Sequence, residues 1–334
     1  MNDQRRIPEA RPSPQIAVIV PCYNEAGTIG KVVTDFREAL PEAAVYVCDN
    51  ASTDGTTAVA RAAGAVVLHE GLPGKGNAVW RLFADVEADI YVLVDGDDTY
   101  EARFAPKMIT ALIDGGLDMV TGARISDDPE SYRFGHRFGN VMLAGIVRKM
   151  FGNRFGDMLS GYRVFSRRFV KSFAALSRGF EIETELTVHA LELRVPAAEI
   201  GTPYHPRPEG SVSKLNTYRD GFRIMKTILH LLRDERPMHF FGAWAAFLAF
   251  VSIALGTPVV IEFLETGLVP RLPTAVLASG IMVLASLSLT CGLVLHTVTR
   301  GRREMKRLRY LEIPALPRAA TVPAAALPMT GTEG

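Results

Sequence analysis

Asp95-Gly96-Asp97-Asp98 follows directly on the apolar run Ile90-Tyr91-Val92-Leu93-Val94. A strand that ends in clustered carboxylates is how α/β enzymes hold a divalent metal against a diphosphate, which points to nucleotide-sugar chemistry. Carboxylates this close repel one another unless a cation sits among them, and Mg²⁺ or Mn²⁺ takes one or two carboxylates plus phosphate oxygens. A metal is therefore expected at this strand end. The competing reading of the motif alone is an acidic turn with Asp98 or Thr99 as a helix N-cap. Three further clusters set it in context: Pro21-Cys22-Tyr23-Asn24-Glu25, Asp49-Asn50-Ala51-Ser52-Thr53-Asp54-Gly55-Thr56 and Gly74-Lys75-Gly76-Asn77-Ala78. An aromatic or proline edge can pack on a base, a carboxylate can accept from a base N–H or a ribose hydroxyl, and a glycine-flanked lysine at a helix N-terminus can approach phosphate.

The elements that must position these clusters are legible in the periodicity. Apolar runs predict strands at 16–20, 44–48, 65–68, 90–94 and 117–121, and the intervening amphipathic segments predict helices near 28–40, 54–63, 77–86 and 106–113. Strands alternating with helices make a doubly wound parallel sheet. Such sheets bind ligands beyond the carboxyl ends of their strands, where the polar clusters fall.

The last third of the chain is different in kind. Residues 240–261 carry no charge, and at 1.5 Å per residue such a helix spans roughly 33 Å, about a bilayer's hydrocarbon thickness. A second run covers 274–299. Arg233 and Arg236 precede the pair, and Arg300, Arg302, Arg303, Lys306, Arg307 and Arg309 follow it, so the positive-inside rule places both termini and the catalytic domain in the cytoplasm, at the inner membrane if the cell is bacterial. No apolar segment opens the chain, so no signal peptide is expected. Residues 222–233 alternate Phe222, Met225, Leu229 and Leu232 with Arg223, Lys226, His230 and Arg233, the spacing of a helix lying in a membrane interface. The expected organisation is a disordered tail (1–14), a catalytic domain (15–221), an interface helix (222–236), two spans (240–261 and 274–299) and a basic, then disordered, tail (300–334). A net charge of +1 argues against nucleic-acid binding, and three cysteines provide no disulfide framework or zinc spacing.

Taken together, the P-x-Y-N-E strand end, the D-N-x-S-x-D-G-T segment, the G-K-G-x-A loop and the D-x-D motif resemble those of the inverting, GT-A-fold glycosyltransferases of the dolichyl-phosphate mannose synthase and polyprenyl-phosphate glycosyltransferase group. The resemblance runs over roughly residues 15–230. It implies a Rossmann-like, mostly parallel sheet with helices on both faces, followed by the interface helix and the two spans. It also implies a nucleotide pocket of Pro21, Tyr23, Glu25, Asp49, Lys75, Asp95 and Gly96, with Asp95 and Asp97 at the metal. Asp157-Met158-Leu159-Ser160-Gly161-Tyr162-Arg163 matches the family's D-x-x-S-G-x-R segment on the donor-sugar side, and Glu183 sits in its following acidic helix. Arg124 and Arg137 match arginines flanking a mobile acceptor loop, and 207–214 a basic loop.

The implied reaction is attack by a lipid-phosphate oxygen on the anomeric carbon of a nucleotide diphosphate sugar, with inversion. A phosphate monoester is already anionic near neutral pH and needs no base. Asp97, Arg137, Asp157 and Glu183 are the expected catalytic group, and Arg124, Arg137, Arg207, Ser211 and Lys214 are expected on the acceptor phosphate. A UDP-sugar is favoured as donor, GDP-mannose also fits, and Thr99 departs from the glutamine frequent in mannose synthases. The expected partners are the nucleotide sugar, a polyprenyl phosphate, the membrane and further copies of the chain, with a tetramer as the family's precedent. The rivals are a polysaccharide synthase acting on a sugar hydroxyl, which the absence of a Q-x-x-R-W segment disfavours, and a non-catalytic scaffold, which intact Lys75, Asp95 and Asp97 disfavour.

Overall fold

The computed structural model describes residues 13–125, 156–174, 181–206, 233 and 236–316. The chain divides into two compact units, one built on residues 1–131, 147–212 and 309–334 and the other on 132–146 and 213–308.

The first unit is organised by β1 (Ile16–Cys22), whose Val18, Ile19 and Val20 are fully buried. A strand that is apolar on both faces belongs in the middle of a sheet covered on both sides. Its neighbours are β2 (Ala44–Asp49) and β4 (Ile90–Leu93), both parallel to it. With β3 (Val66–His69), β5 (Met119–Ile125), β6 (Arg163–Ser166) and β7 (Ala197–Pro203) they form a seven-stranded sheet in the order β3-β2-β1-β4-β6-β5-β7. The connections out of β1 run to β2 on one side and, after β3, to β4 on the other. The crevice of such a switch point opens at the carboxyl ends of β1 and β4.

The helices α1 (Ile29–Ala39), α2 (Thr56–Ala62), α3 (Lys75–Asp85) and α4 (Ala105–Asp114) lie within one or two residues of their expected positions. α1 buries Ile29, Val32, Val33 and Phe36, and Phe36 meets Tyr162 edge-on at 6.0 Å. α3 buries Val79, Leu82 and Phe83, with Phe83 edge-on to Tyr91 and Phe165.

The sheet departs from the fully parallel reading at β6, which runs antiparallel to both β4 and β5. Four residues beginning with an arginine give no strand periodicity, so neither β6 nor the short α5 (Arg167–Ser172) is visible in the apolar pattern. Ser166 ends β6 and caps α5, accepting from the Phe169 amide at 3.3 Å. α6 (Ile182–Leu193) and β7 complete the unit, β7 pairing parallel with β5.

The second unit contains two long apolar helices, α7 (Pro237–Thr266) and α8 (Leu272–Glu312, of which residues to 308 belong here), both long and apolar enough to cross a membrane. An 18-residue stretch in each, with mean hydropathy 2.1 and 2.0, suits membrane association. The buried positions Ala245, Ser252 and Val259 of α7 and Ala278, Ala285, Gly292 and Thr299 of α8 each recur at seven-residue spacing. Small residues in such a seam bring two helix backbones close. Here Ser252 donates to the Ala278 carbonyl at 2.7 Å and Ser288 to that of Phe241 at 3.1 Å. Trp244, Phe247, Phe250, Leu284 and Leu287 remain exposed on the outer faces. The expected interface helix 222–236 and most of both expected tails lie outside the described residues, save Arg233 and Arg236.

Candidate active site

The end of β1 is stitched to the end of β2. Asn24, at φ 54°, donates its amide to Ser52 Oγ at 3.0 Å and accepts from the Thr53 amide at 2.8 Å. The Glu25 amide donates to Thr56 Oγ1 at 2.9 Å. Asp49, paired in register with both Cys22 and His69, accepts from the Ser52 amide at 3.1 Å and Thr57 Oγ1 at 2.8 Å. Burial alone would raise the Asp49 carboxyl, but hydrogen bonds from Ser52 and Thr57 outweigh it and hold it below the usual aspartate range. Tyr23 stands 44% exposed beside this ledge.

Asn50 connects the ledge to the glycine-lysine loop. Its side-chain amide donates to the Leu72 carbonyl at 2.7 Å, and its oxygen accepts from the Gly74 amide at 2.6 Å. Gly74 takes φ 134°, a conformation that costs side-chain-bearing residues dearly, and Lys75 follows as the first residue of α3. The Lys75 ammonium lies 2.5 Å from Asp95 Oδ1 and makes a short contact with Glu183 Oε1. The expected phosphate-facing lysine is thus seated between two carboxylates. Burial works against its charge, yet Asp95 and Glu183 more than compensate and raise its pKa. Glu183 is itself pushed up, by burial first, against the pull of Lys75. Its other oxygen, Oε2, is buried with no hydrogen-bond partner among the described residues.

Backbone closeness fixes the rest of the acidic cluster. Thr28 Oγ1 donates to the Gly96 carbonyl at 2.7 Å, and a Cβ on Gly96 would meet Cys22 Sγ at 2.5 Å. A Cβ on Gly161 would meet Asp95 Oδ2 at 2.4 Å. Asp97 is 4% exposed and accepts from Thr99 Oγ1 at 2.7 Å, whereas Asp98, at φ 58°, pairs with Lys31 at 2.7 Å. Lysines therefore supply part of the cation demand that the sequence assigns to a metal. Among the described residues no group of three or more His, Cys, Asp or Glu side chains is arranged to hold an ion. The donor set still fits one: two hard oxygen donors two residues apart, Asp95 and Asp97, leave the remaining positions to diphosphate oxygens and water, as Mg²⁺ and Mn²⁺ sites on nucleotides require.

Arg124, on β5, makes a two-pronged pair with Asp157, Nε to Oδ2 at 2.7 Å and Nη2 to Oδ1 at 2.8 Å. Burial would raise the Asp157 carboxyl, but the Arg124 guanidinium holds it below its ordinary value. Arg124 also lies over the Tyr204 ring, 5.5 Å from its centroid. Tyr100 joins this pair to the acidic cluster: its ring lies 5.3 Å from that of Tyr204 and 5.4 Å from that of Tyr162, and its hydroxyl accepts from the Gly161 amide at 3.0 Å. Arg163, fully buried, donates to the carbonyls of Met158 and Ser160 at 2.6 and 2.9 Å and to Thr187 Oγ1 at 2.9 Å. It holds the Ser160-Gly161 turn and ties it to α6, a framework role in a motif whose resemblance implies a donor-sugar lining.

Lys75, Asp95 and Glu183 thus meet directly, Asp97 follows Asp95 on the same turn, and Arg124 and Asp157 form a neighbouring cluster joined to it through Tyr100 and Gly161. Tyr100 and Asn50 are the connectors that motif reading left without a role. Arg137, Arg207, Ser211 and Lys214 lie outside the described residues. Cys22 and Cys48 are buried, with burial raising the Cys22 thiol and pushing Cys48 up to about 12, as inert packing groups.

Residues 17–173 match the model of glycosyl transferase family 2. Glycosyltransferase AglJ of Haloferax volcanii is 33% identical over 90% of this chain and 100% of its own length. A dolichyl-phosphate hexose transferase of the same organism is 29% identical over 66% of this chain and 95% of its own. Among solved structures, glucosyl-3-phosphoglycerate synthase from Mycobacterium tuberculosis, in complex with Mn²⁺, UDP-glucose and phosphoglyceric acid, superposes with a TM-score of 0.54 at 24% identity, covering 66% of this chain and 79% of that one.

Proposed function

The chain belongs to glycosyl transferase family 2, and from that premise we propose that it moves a sugar from a nucleoside diphosphate sugar to the phosphate of a polyprenyl lipid at a membrane surface. The observation that carries the acceptor is the presence, in the same chain as the acidic strand-end site, of two helices long and apolar enough to span a bilayer. A polyprenyl tail is held in the membrane by about 0.8 kcal/mol per buried CH₂, so an enzyme using it must work at the bilayer. The relative named for dolichyl-phosphate hexose transfer supports the same reading.

Tyr23 and Asp49 take the base and ribose, and Asp95 and Asp97 hold a divalent cation, Mg²⁺ or Mn²⁺. That cation supplies charge stabilisation for the departing diphosphate. Glu183 and Asp157 orient sugar hydroxyls or hold the arginines in place, the latter supported for Asp157 by its pair with Arg124; Arg124, with Arg137, Arg207, Ser211 and Lys214, receives the acceptor phosphate. The acceptor oxygen is anionic near neutral pH, so the protein's task is to bring two anions together rather than to remove a proton. A UDP-sugar is the favoured donor. The basic residues on either side of the helix pair set both termini in the cytoplasm.

The test is incubation of the purified protein in detergent with undecaprenyl phosphate, Mg²⁺ or Mn²⁺ and a panel of UDP- and GDP-sugars, following nucleoside diphosphate release. Release that needs both lipid and one sugar, and that Asp97→Ala abolishes, is the expected result. Release at the same rate without lipid would refute the acceptor assignment.

A further inference from the structure

The acidic end of β4 carries its own counter-ion. Lys75 touches Asp95 and Glu183 together, and its side chain is 12% exposed against 25% and 5% for theirs. Counted formally with Asp97, the cluster holds two negative charges with the ammonium in place and three without it. Glu183 keeps a second, buried oxygen that nothing among the described residues satisfies, so an acceptor is left over on a carboxylate that Lys75 already holds.

A divalent cation approaching Asp95 alone meets an ammonium already seated 2.5 Å from that carboxylate. Like charges a few ångströms apart in a partly dehydrated site repel one another strongly. A cation arriving with a nucleoside diphosphate meets a different balance, because the diphosphate brings compensating negative charge and offers the ammonium a new partner. We infer that Lys75 is a resident counter-ion that withholds Asp95 and Glu183 from a free divalent metal, so that metal and nucleoside diphosphate bind this site together. This rests on the assignment of Asp95 and Asp97 to the metal of a nucleotide sugar.

The experiment measures Mn²⁺ binding to the full-length protein in detergent by electron paramagnetic resonance of the free ion, with and without UDP or GDP, for wild type, Lys75→Met and Lys75→Arg. In the wild type, nucleotide tightens Mn²⁺ binding by about tenfold or more. In Lys75→Met, Mn²⁺ alone binds about tenfold tighter than to wild type and the nucleotide effect shrinks, while Lys75→Arg, which keeps the charge, behaves as wild type. Lys75→Gln retains an amide donor toward both carboxylates and takes the place of Lys75→Met if that variant's circular dichroism shows it unfolded. Unchanged or weaker nucleotide-free binding in the neutral variants, with nucleotide-dependent binding intact in wild type, would reduce Lys75 to a structural tie and leave the metal assignment standing. No Mn²⁺ binding by wild type even with UDP and GDP would remove the metal assignment and this inference with it.

Discussion

At the scale of single residues the site leaves little room. Gly161 packs so closely on Asp95 that an added methyl carbon would sit 2.4 Å from Oδ2. Gly161→Ala is expected to cost about 1–3 kcal/mol by overpacking and to lower kcat by at least about tenfold by displacing Asp95. Steady-state kinetics beside a melting curve separates the two effects, and unchanged kcat would refute the close approach. The Arg124–Asp157 pair is mostly buried, at 19% and 18% side-chain exposure, so Asp157→Asn, which leaves the guanidinium without its charge partner, should cost about 3 kcal/mol or more. Because the folded Asp157 pKa is depressed, the pair's stability is fully present above the ordinary aspartate value of about 4 and drains as pH falls through the lowered native value. Melting temperatures across that acid range should fall more steeply for wild type than for Asp157→Asn. Local motifs marked Asp49, Asp95 and Asp97 as candidate site residues. What the motifs could not reveal was that Lys75 and Glu183, 108 residues apart, share a proton-bearing contact, since no local spacing encodes a meeting made by the sheet.

At the scale of elements, legibility followed an uninterrupted apolar run rather than burial: β6 is buried throughout yet escaped, whereas β3 was readable with both its ends exposed. β1, β2 and β4 are continuous apolar runs and appear where their sequences place them, to within two residues. β6 escaped because its pattern is set by Arg163, whose charge is buried against carbonyls supplied by its own preceding turn, Met158 and Ser160. An apolar-periodicity reading has no means of recognising a buried arginine as strand interior. The apolar helices were legible in their uncharged cores, not in their extent: α7 continues through Pro258 to Thr266 and α8 runs on to Glu312. Their seam yields a prediction of its own. A Cβ at Gly292 would already lie 3.0 Å from Phe241 Cβ, so Gly292→Leu should force the two helices apart. A loss of about 1–3 kcal/mol is expected, read as a lower thermal midpoint in detergent, whereas Leu284→Ala on the outer face should leave the midpoint nearly unchanged.

At the scale of the whole molecule, the chain combines a soluble-type sheet unit with an apolar helix pair, each with its own internal packing. The proposed division of labour is that the first handles the nucleotide and the second keeps the protein at its lipid. Deleting residues 240–299 should therefore cut transfer to undecaprenyl phosphate in vesicles by about tenfold or more while leaving nucleotide affinity within about twofold; full activity of the deletion on embedded acceptor would overturn the division. Nucleotide affinity is the informative control, since Tyr23, Asp49 and Lys75 all belong to the first unit. The helix pair is also written in two vocabularies. Its inner seam carries mostly small side chains at seven-residue intervals, and its outer faces carry large apolar ones that stand more than half exposed. The seam is thus a text with almost no synonyms, and the outer surface is prose that can be paraphrased freely so long as it stays greasy.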